Sequence, residues 1–147
     1  VRGISLREGD TVVAMAVLKP GGTMLSVTQQ GYGKRTELEE YRVQSRGGIG
    51  IINIQTSDRN GKVVGIAQVT DDDELMLITQ QGKILRMASK SIRTIGRSTQ
   101  GVRLIEIEGD DHWPRRTTTR RRGEPSGPPT PPPVLRISLV ASSARPS

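Results

Sequence analysis

Thr28-Gln29-Gln30-Gly31 stands again 51 residues later as Thr79-Gln80-Gln81-Gly82, and Val12-Val13 stands again as Val63-Val64. With no gap between the copies, Arg35, Arg42, Arg46, Gly50 and Ile54 return as Arg86, Arg93, Arg97, Gly101 and Ile105. Residues 12–60 and 63–111 thus share 12 identities over 49 aligned positions. A repeat of this length marks a stacked or radial array in which each unit is one supersecondary element. The returning residues include a set of arginines, so the repeat bears on function as well as on fold.

Within each copy the strand signals are short, rich in β-branched residues and punctuated by turns. They predict strands over 11–18, 23–28, 35–37 and 50–54, and again over 63–69, 74–79, 84–87 and 101–107. Pro20-Gly21-Gly22 and residues 71–73 occupy matching positions and read as one kind of hairpin turn. Gln30-Gly31 and Gln81-Gly82 mark a second turn in each copy. Asn60-Gly61 reads as a two-residue hairpin, since both positions tolerate positive φ. Helical periodicity is missing apart from a single turn over 36–41. Four short strands per ~50 residues predict an all-β fold of propeller-like blades.

The 147 residues hold no Phe, two Tyr and one Trp, so the core must be aliphatic and thin. It has to lean on contacts between repeats. The chain has no cysteine, which excludes disulfides and thiolate metal sites. No apolar run approaches the ~20 residues of a membrane span, and nothing resembles a signal peptide. The chain opens at Val1 inside what reads as a strand, so a fragment is expected.

The formal net charge of +7 is unevenly spread. Residues 1–111 carry 15 basic and 14 acidic side chains, whereas residues 112–147 carry 7 Arg and 1 Glu. The repeats are therefore nearly neutral, but their charges are segregated. Lys83, Arg86, Lys90, Arg93, Arg97 and Arg103 fall between Leu75 and Ile105 with no acid among them. A basic strip of this kind can bind a polyanion without a large net charge.

The motif with most chemistry is Gln44-Ser45-Arg46-Gly47-Gly48-Ile49-Gly50. Its glycines let the backbone approach a partner and expose N–H groups. Arg42 and Arg46 beside them can clamp phosphates. This suits the nucleic-acid backbone, where contacts position a protein without reading sequence. The second copy, Gly96-Arg97-Ser98-Thr99-Gln100-Gly101, keeps the arginine and the last glycine. Equivalent placement of Arg42 with Arg93 and of Arg46 with Arg97 predicts one continuous basic edge across two blades. The alternative is a glycine-rich connection with solvated arginines. Lys34-Arg35 and Lys83/Arg86 either extend the strip or act as edge charges that block aggregation. Glu37/Glu39/Glu40 and the acids at 71–74 read as solvated turns. His112 is the lone histidine, and no P-loop or nucleophile–base pair can be assembled.

The repeat should continue with an apolar strand near 114–120, yet the chain there reads Pro114-Arg115-Arg116-Thr117-Thr118-Thr119-Arg120. Beyond it the composition is rich in Pro, Arg, Ser and Thr, which predicts a disordered or extended tail. Residues 134–141 form a short apolar stretch able to pair opportunistically. The abrupt change after Asp111 is consistent with translation out of frame, which the coding DNA would settle. The domain reading is 1–60 for repeat one, 61–111 for repeat two and 112–147 for a non-homologous tail.

Residues 1–111 resemble the C-terminal region of DNA gyrase A, near its last two repeats. The resemblance is carried by Gly31-Tyr32-Gly33-Lys34-Arg35-Thr36, Glu40-Tyr41-Arg42-Val43-Gln44, Arg46-Gly47-Gly48, Gly50 and the run from Ile95 to Leu104. The corresponding chain of topoisomerase IV carries related repeats. The resemblance implies a β-pinwheel whose basic rim wraps duplex DNA and supports ATP-dependent negative supercoiling. Residues 44–50 resemble the family's gyrase box, with Ile49 where a basic residue is common. The basic edge and this resemblance together give the expected DNA contacts as Lys34, Arg35, Arg42, Gln44, Arg46, Gly47, Gly48, Gly50, Lys83, Arg86, Arg93, Arg97 and Arg103. The resemblance implies no catalytic tyrosine here and no cofactor in this chain, with ATP and Mg2+ serving the parent complex. Expected partners are double-stranded DNA, gyrase B and a second copy of gyrase A in the parent heterotetramer, in the bacterial cytoplasm at the nucleoid. Rival readings are a propeller-type scaffold for acidic protein partners and a truncated product without function.

Overall fold

β1 (Thr23–Thr28) and β2 (Tyr32–Glu37) form an antiparallel hairpin closed at Gln30-Gly31. Gly31 takes φ of 78° there, and its N–H donates to the Thr28 carbonyl at 3.0 Å. The computed structural model describes residues 1–79 and 82–107 in full and the backbone of 136–138. Its further strands are β3 (Val63–Val69), β4 (Glu74–Ile78), β5 (Ile84–Ala88), β6 (Val102–Arg103) and β7 (Arg136–Ser138). Short 3-10 turns follow β2 and β5 at Leu38–Glu40 and Ser89–Ser91, a matched pair 51 residues apart.

The first sheet runs β3-β1-β2-β6 and the second β5-β4-β7. All pairings between these strands are antiparallel, and one isolated parallel bridge joins Arg35 to Thr94. The first sheet crosses the repeat boundary: its central hairpin belongs to repeat one, while β3 and β6 on its two edges belong to repeat two. This corrects the expectation that each repeat builds its own four-stranded blade. Each repeat supplies one hairpin of its own, and repeat two lends its outer strands β3 and β6 to the hairpin of repeat one.

The same rule explains two missing strands. Residues 11–18 and 50–54 are the repeat-one counterparts of β3 and β6, and neither forms a regular strand among the described residues. A strand needs a ladder partner for its N–H and C=O groups, and no described hairpin lies beside them. Residues 101–107 likewise give only the two strand residues that face Tyr32 and Gly33. The expected boundaries hold at Thr23–Thr28 and Val63–Val69, whereas β2 begins at Tyr32, three residues before the expected 35–37.

Two turns also differ from expectation. Residues 70–73 carry the chain from one sheet to the other, with the Thr70 N–H donating to Asp73 Oδ2 at 2.7 Å. Asn60 has no positive φ, so Asn60-Gly61 is not the predicted hairpin turn. Its side chain is fully buried instead, donating through Nδ2 to the carbonyls of Gln55 (2.7 Å) and Gln100 (3.0 Å).

The core is aliphatic, as the composition requires. Leu25, Val27, Ala67, Val69, Leu75 and Ile92 form one cluster, with Val64, Met87 and Leu104 packed against it. It draws on both sheets and both repeats, so neither repeat has a core alone. The predicted tail falls mostly outside the described residues. Backbone pairing of β7 with β4 lies within the stretch expected to pair opportunistically.

Candidate nucleic-acid interface

β2 acts as a clasp for the loop over 93–97. Arg35 donates its backbone N–H to the Arg93 carbonyl at 3.2 Å, and its own carbonyl accepts from the Ile95 N–H at 2.8 Å. Thr36 Oγ1 donates to the Ile95 carbonyl at 2.9 Å. Lys34 Nζ donates to the carbonyls of Gly96 (2.8 Å) and Arg97 (2.9 Å). The Gly-Lys-Arg-Thr run of repeat one therefore holds the arginine loop of repeat two. Further along, Gly101 lies so close to Gly33 that a Cβ on it would sit 2.7 Å from the Gly33 carbonyl oxygen. With φ of 79°, only glycine fits this crossing without strain.

Two of the expected surface cations are consumed by this clasp. Lys34 is 0% exposed, and burial, reinforced by the neighbouring Arg97, lowers its pKa to about 8. Arg35 is 5% exposed and donates to Thr23 Oγ1 (2.8 Å), the Ser89 carbonyl (3.1 Å) and Asp71 Oδ1 (2.6 Å). Neither can reach a phosphate, because burial removes the surface and most of their donors are already taken. The expectation that they extend the basic strip is corrected: they position the loop that carries it.

Arg42, Arg46 and Arg93 are exposed, and their side chains form no hydrogen bond or ion pair among the described residues. Arg97 is partly covered: its Nη1 donates to the Ile52 carbonyl at 2.7 Å, and Glu40 Oε2 lies 4.0 Å from Nε. Its buried Nε has no hydrogen-bond partner among the described residues. Lys83 is exposed with Nζ donating to the Glu106 carbonyl at 3.2 Å, and Arg86 is paired with Glu74 on the surface.

The first glycine-rich motif is tied to the N-terminal segment, away from the clasp. Gly47 N–H donates to the Gly3 carbonyl (2.9 Å), Ser5 N–H to the Gly48 carbonyl (2.8 Å) and Ser5 Oγ to the Gly47 carbonyl (2.7 Å). The expected free N–H at Gly47 is therefore already occupied. Gln44 and Gly50 are exposed beside it. The two copies of the motif thus differ in how they are held: 3–5 grips the first and β2 grips the second.

Arg103 belongs to a second basic cluster that sequence reasoning read only in part. Tyr32 is buried at 3% exposure, and its Oη accepts from Arg59 Nε (3.0 Å) and Arg103 Nη2 (3.1 Å). Both guanidiniums lie over its ring, at 5.3 and 5.4 Å. The two hydrogen bonds lower the Tyr32 pKa. Gln30, Asp58 and Ile107 complete a cavity of about 300 Å³ with these three residues. Arg59 was missed because its repeat counterpart is Asp110, so the comparison that located the other arginines passes over it.

A hairpin that takes its edge strands from the next repeat, with an arginine loop clasped by the neighbouring repeat, defines a repeat domain of the propeller class. A model of the family described as DNA gyrase C-terminal domain, beta-propeller, matches residues 1–19, 23–70 and 73–112, and the chain belongs to that family. DNA gyrase A of Escherichia coli (strain K12) is 47% identical over 112 residues, covering 76% of this chain and 13% of that protein. Its counterpart in Haemophilus influenzae is 48% identical over 103 residues, covering 70% and 12%. A solved DNA gyrase A C-terminal domain superposes with a TM-score of 0.70 at 28% identity, over 74% of this chain and 38% of that one. The C-terminal domain of DNA topoisomerase IV shares the fold, with a TM-score of 0.66 at 24% identity over 72% and 33%. The chain spans about 13% of the length of the curated relatives it matches.

Proposed function

We propose that this chain binds duplex DNA through its phosphates and forms part of the DNA-wrapping surface of gyrase A, within a type IIA topoisomerase. The observation that carries the reading is the clasp: the 93–97 loop is fixed through its backbone while the Arg93 guanidinium is left exposed and unpaired among the described residues. A fixed loop with a free cation meets a phosphate at little cost in ordering. Arg42 and Arg46 are the other exposed, uncommitted cations of the set. Arg97, Arg103, Lys83 and Arg86 already have partners and would exchange them for phosphate. Gln44, Gly47, Gly48 and Gly50 contribute a close backbone approach.

In the parent enzyme this surface would present DNA for ATP-driven strand passage, with gyrase B and a second copy of gyrase A as partners. ATP and Mg2+ are assigned to that complex. Among the described residues no group of three or more His, Cys, Asp or Glu is placed to hold a metal ion, and no step is routed through ATP or Mg2+ here. The setting of this reading is the bacterial cytoplasm, at the nucleoid. Among the described residues no helix is long and apolar enough to cross a membrane.

The test is a salt titration of duplex binding. In the triple variant Arg42→Ala, Arg46→Ala, Arg93→Ala, affinity should fall at low salt for every duplex sequence. The slope of log K against log salt should flatten by about 3, near 0.9 for each lost contact. An unchanged slope sinks the assignment. Displacement of bound DNA by an acidic polypeptide at equal charge concentration would favour a protein-scaffold role instead.

A further inference from the structure

We propose that Asn60-Gly61 is a deamidation site shielded by the fold: it stays intact while the chain is folded and converts to aspartate or isoaspartate once the chain opens. The converted chain then fails to rebuild this turn. The dipeptide takes no part in the DNA-binding reading. Its chemistry is intrinsic to the sequence, asparagine being thermolabile. The Gly61 backbone nitrogen attacks Cγ of Asn60, and glycine has no side chain to obstruct the approach. The new N–Cγ bond closes a succinimide, the Gly61 nitrogen gives up its proton, and Nδ2 leaves as ammonia. Water then opens the ring at either carbonyl, giving aspartate or isoaspartate. Water is the one co-reactant, so conformation controls the rate.

The fold holds each group that this reaction must move. The Gly61 N–H, the attacking group, donates to the Ser57 carbonyl at 2.8 Å. Asn60 Oδ1 accepts from the Ser57 N–H at 2.7 Å. Nδ2 donates to the carbonyls of Gln55 (2.7 Å) and Gln100 (3.0 Å), so both of its protons are engaged. The residue is 0% exposed, which keeps water and base away from it. Conversion of the folded chain therefore waits on an opening of the turn.

The same contacts make the change hard to reverse. The Asn60 side chain joins Gln55 of repeat one to Gln100 of repeat two, and its own carbonyl accepts from the Gln30 N–H at 3.1 Å. Three segments meet on this residue. Aspartate sets an oxygen against the Gln55 and Gln100 carbonyls and removes both donors they had from it. Isoaspartate adds a methylene to the backbone. It does so beside a glycine at φ of 73° that already lies close to Gln29.

Peptide mass spectrometry of the full chain tests this, with one sample folded and one in guanidinium chloride at the same mildly alkaline pH. The peptide holding residue 60 should gain about 1 Da in denaturant, and the folded sample should lag by at least about tenfold. Asn53, the other asparagine, precedes Ile54 and is the internal control in denaturant. Gly61→Ala, compared in denaturant where folding plays no part, should slow conversion several-fold. After dilution, the fraction regaining the native melting transition should fall in step with conversion at residue 60. Asn60→Asp, made directly, should unfold at a lower denaturant midpoint. The proposal is overturned if folded and unfolded chains convert at equal rates, or if Asn60 reacts no faster than Asn53 in denaturant. It is equally overturned if Gly61→Ala converts as fast as wild type, or if converted chains refold with the wild-type midpoint. None of these readouts involves DNA, so failure here leaves the DNA-binding reading standing.

Discussion

Lys34 is the residue whose surroundings depart most from its chemistry. Lysine is almost never fully buried without partners. Here two carbonyls of the 93–97 loop accept from its ammonium. Lys34→Met leaves the Arg97 carbonyl without its side-chain donor and the Gly96 carbonyl with Thr99 Oγ1 alone, so it should destabilise the fold by about 1–3 kcal/mol in urea titrations. The pH dependence has a definite sign. Its pKa is about 8 when folded and 10.5 in an exposed lysine, so between these values the unfolded chain holds more protons on this group. Its contribution to stability is constant below about 8 and rises as pH climbs towards 10.5. The urea-midpoint gap between wild type and Lys34→Met should widen over that window; a flat gap contradicts the burial account. Arg35 offers a contrast within one side chain. Its ion-pair partner Asp71 is 73% exposed, so water screens that contact. Asp71→Asn should change stability by less than about 1 kcal/mol.

At the scale of elements, the decisive feature is that β2 serves two repeats at once. Its glycine at 33 lets β6 approach, and its next three residues hold the 93–97 loop. Gly101→Ala combines a positive φ with a Cβ 2.7 Å from a backbone oxygen. It should cost about 1–3 kcal/mol and release the loop, read as faster amide exchange at Ile95. Gly96→Ala meets nothing within 4 Å and serves as the control. β1 and β3 were legible because turns and glycines bound them and their apolar residues recur across the repeat. Residues 11–18 carry the same signal as β3 and yet form no strand. The pattern encodes a strand's readiness to pair, and the partner is chosen elsewhere in the molecule.

For the whole molecule, the core joins the repeats, so each depends on the other. Leu25→Ala, in repeat one, should lower stability by about 2–5 kcal/mol and lower the melting of β4 and β5 in repeat two by a similar amount. Independent melting of the two hairpins would show that the common core is not a cooperative unit. The basic edge also changes meaning at this scale. Sequence spacing placed the arginines in two equivalent sets. The structure holds one set with β2 and the other with residues 3–5, and it withdraws Lys34 and Arg35 from the surface altogether. The second cluster at Tyr32 joins Arg59 and Arg103 from positions with no shared repeat register.

By itself the sequence determined the all-β class, the period of 51 residues, the aliphatic core and the family, because these depend on composition, turn chemistry and internal identity. Only the tertiary structure decided which strands pair, which cations are free and which residues hold the arginine loop. Those outcomes rest on hydrogen bonds and burial between residues some 30 to 70 positions apart. Local pattern carries no record of such partners, and a lysine with two buried carbonyls to bind reads the same as one in water.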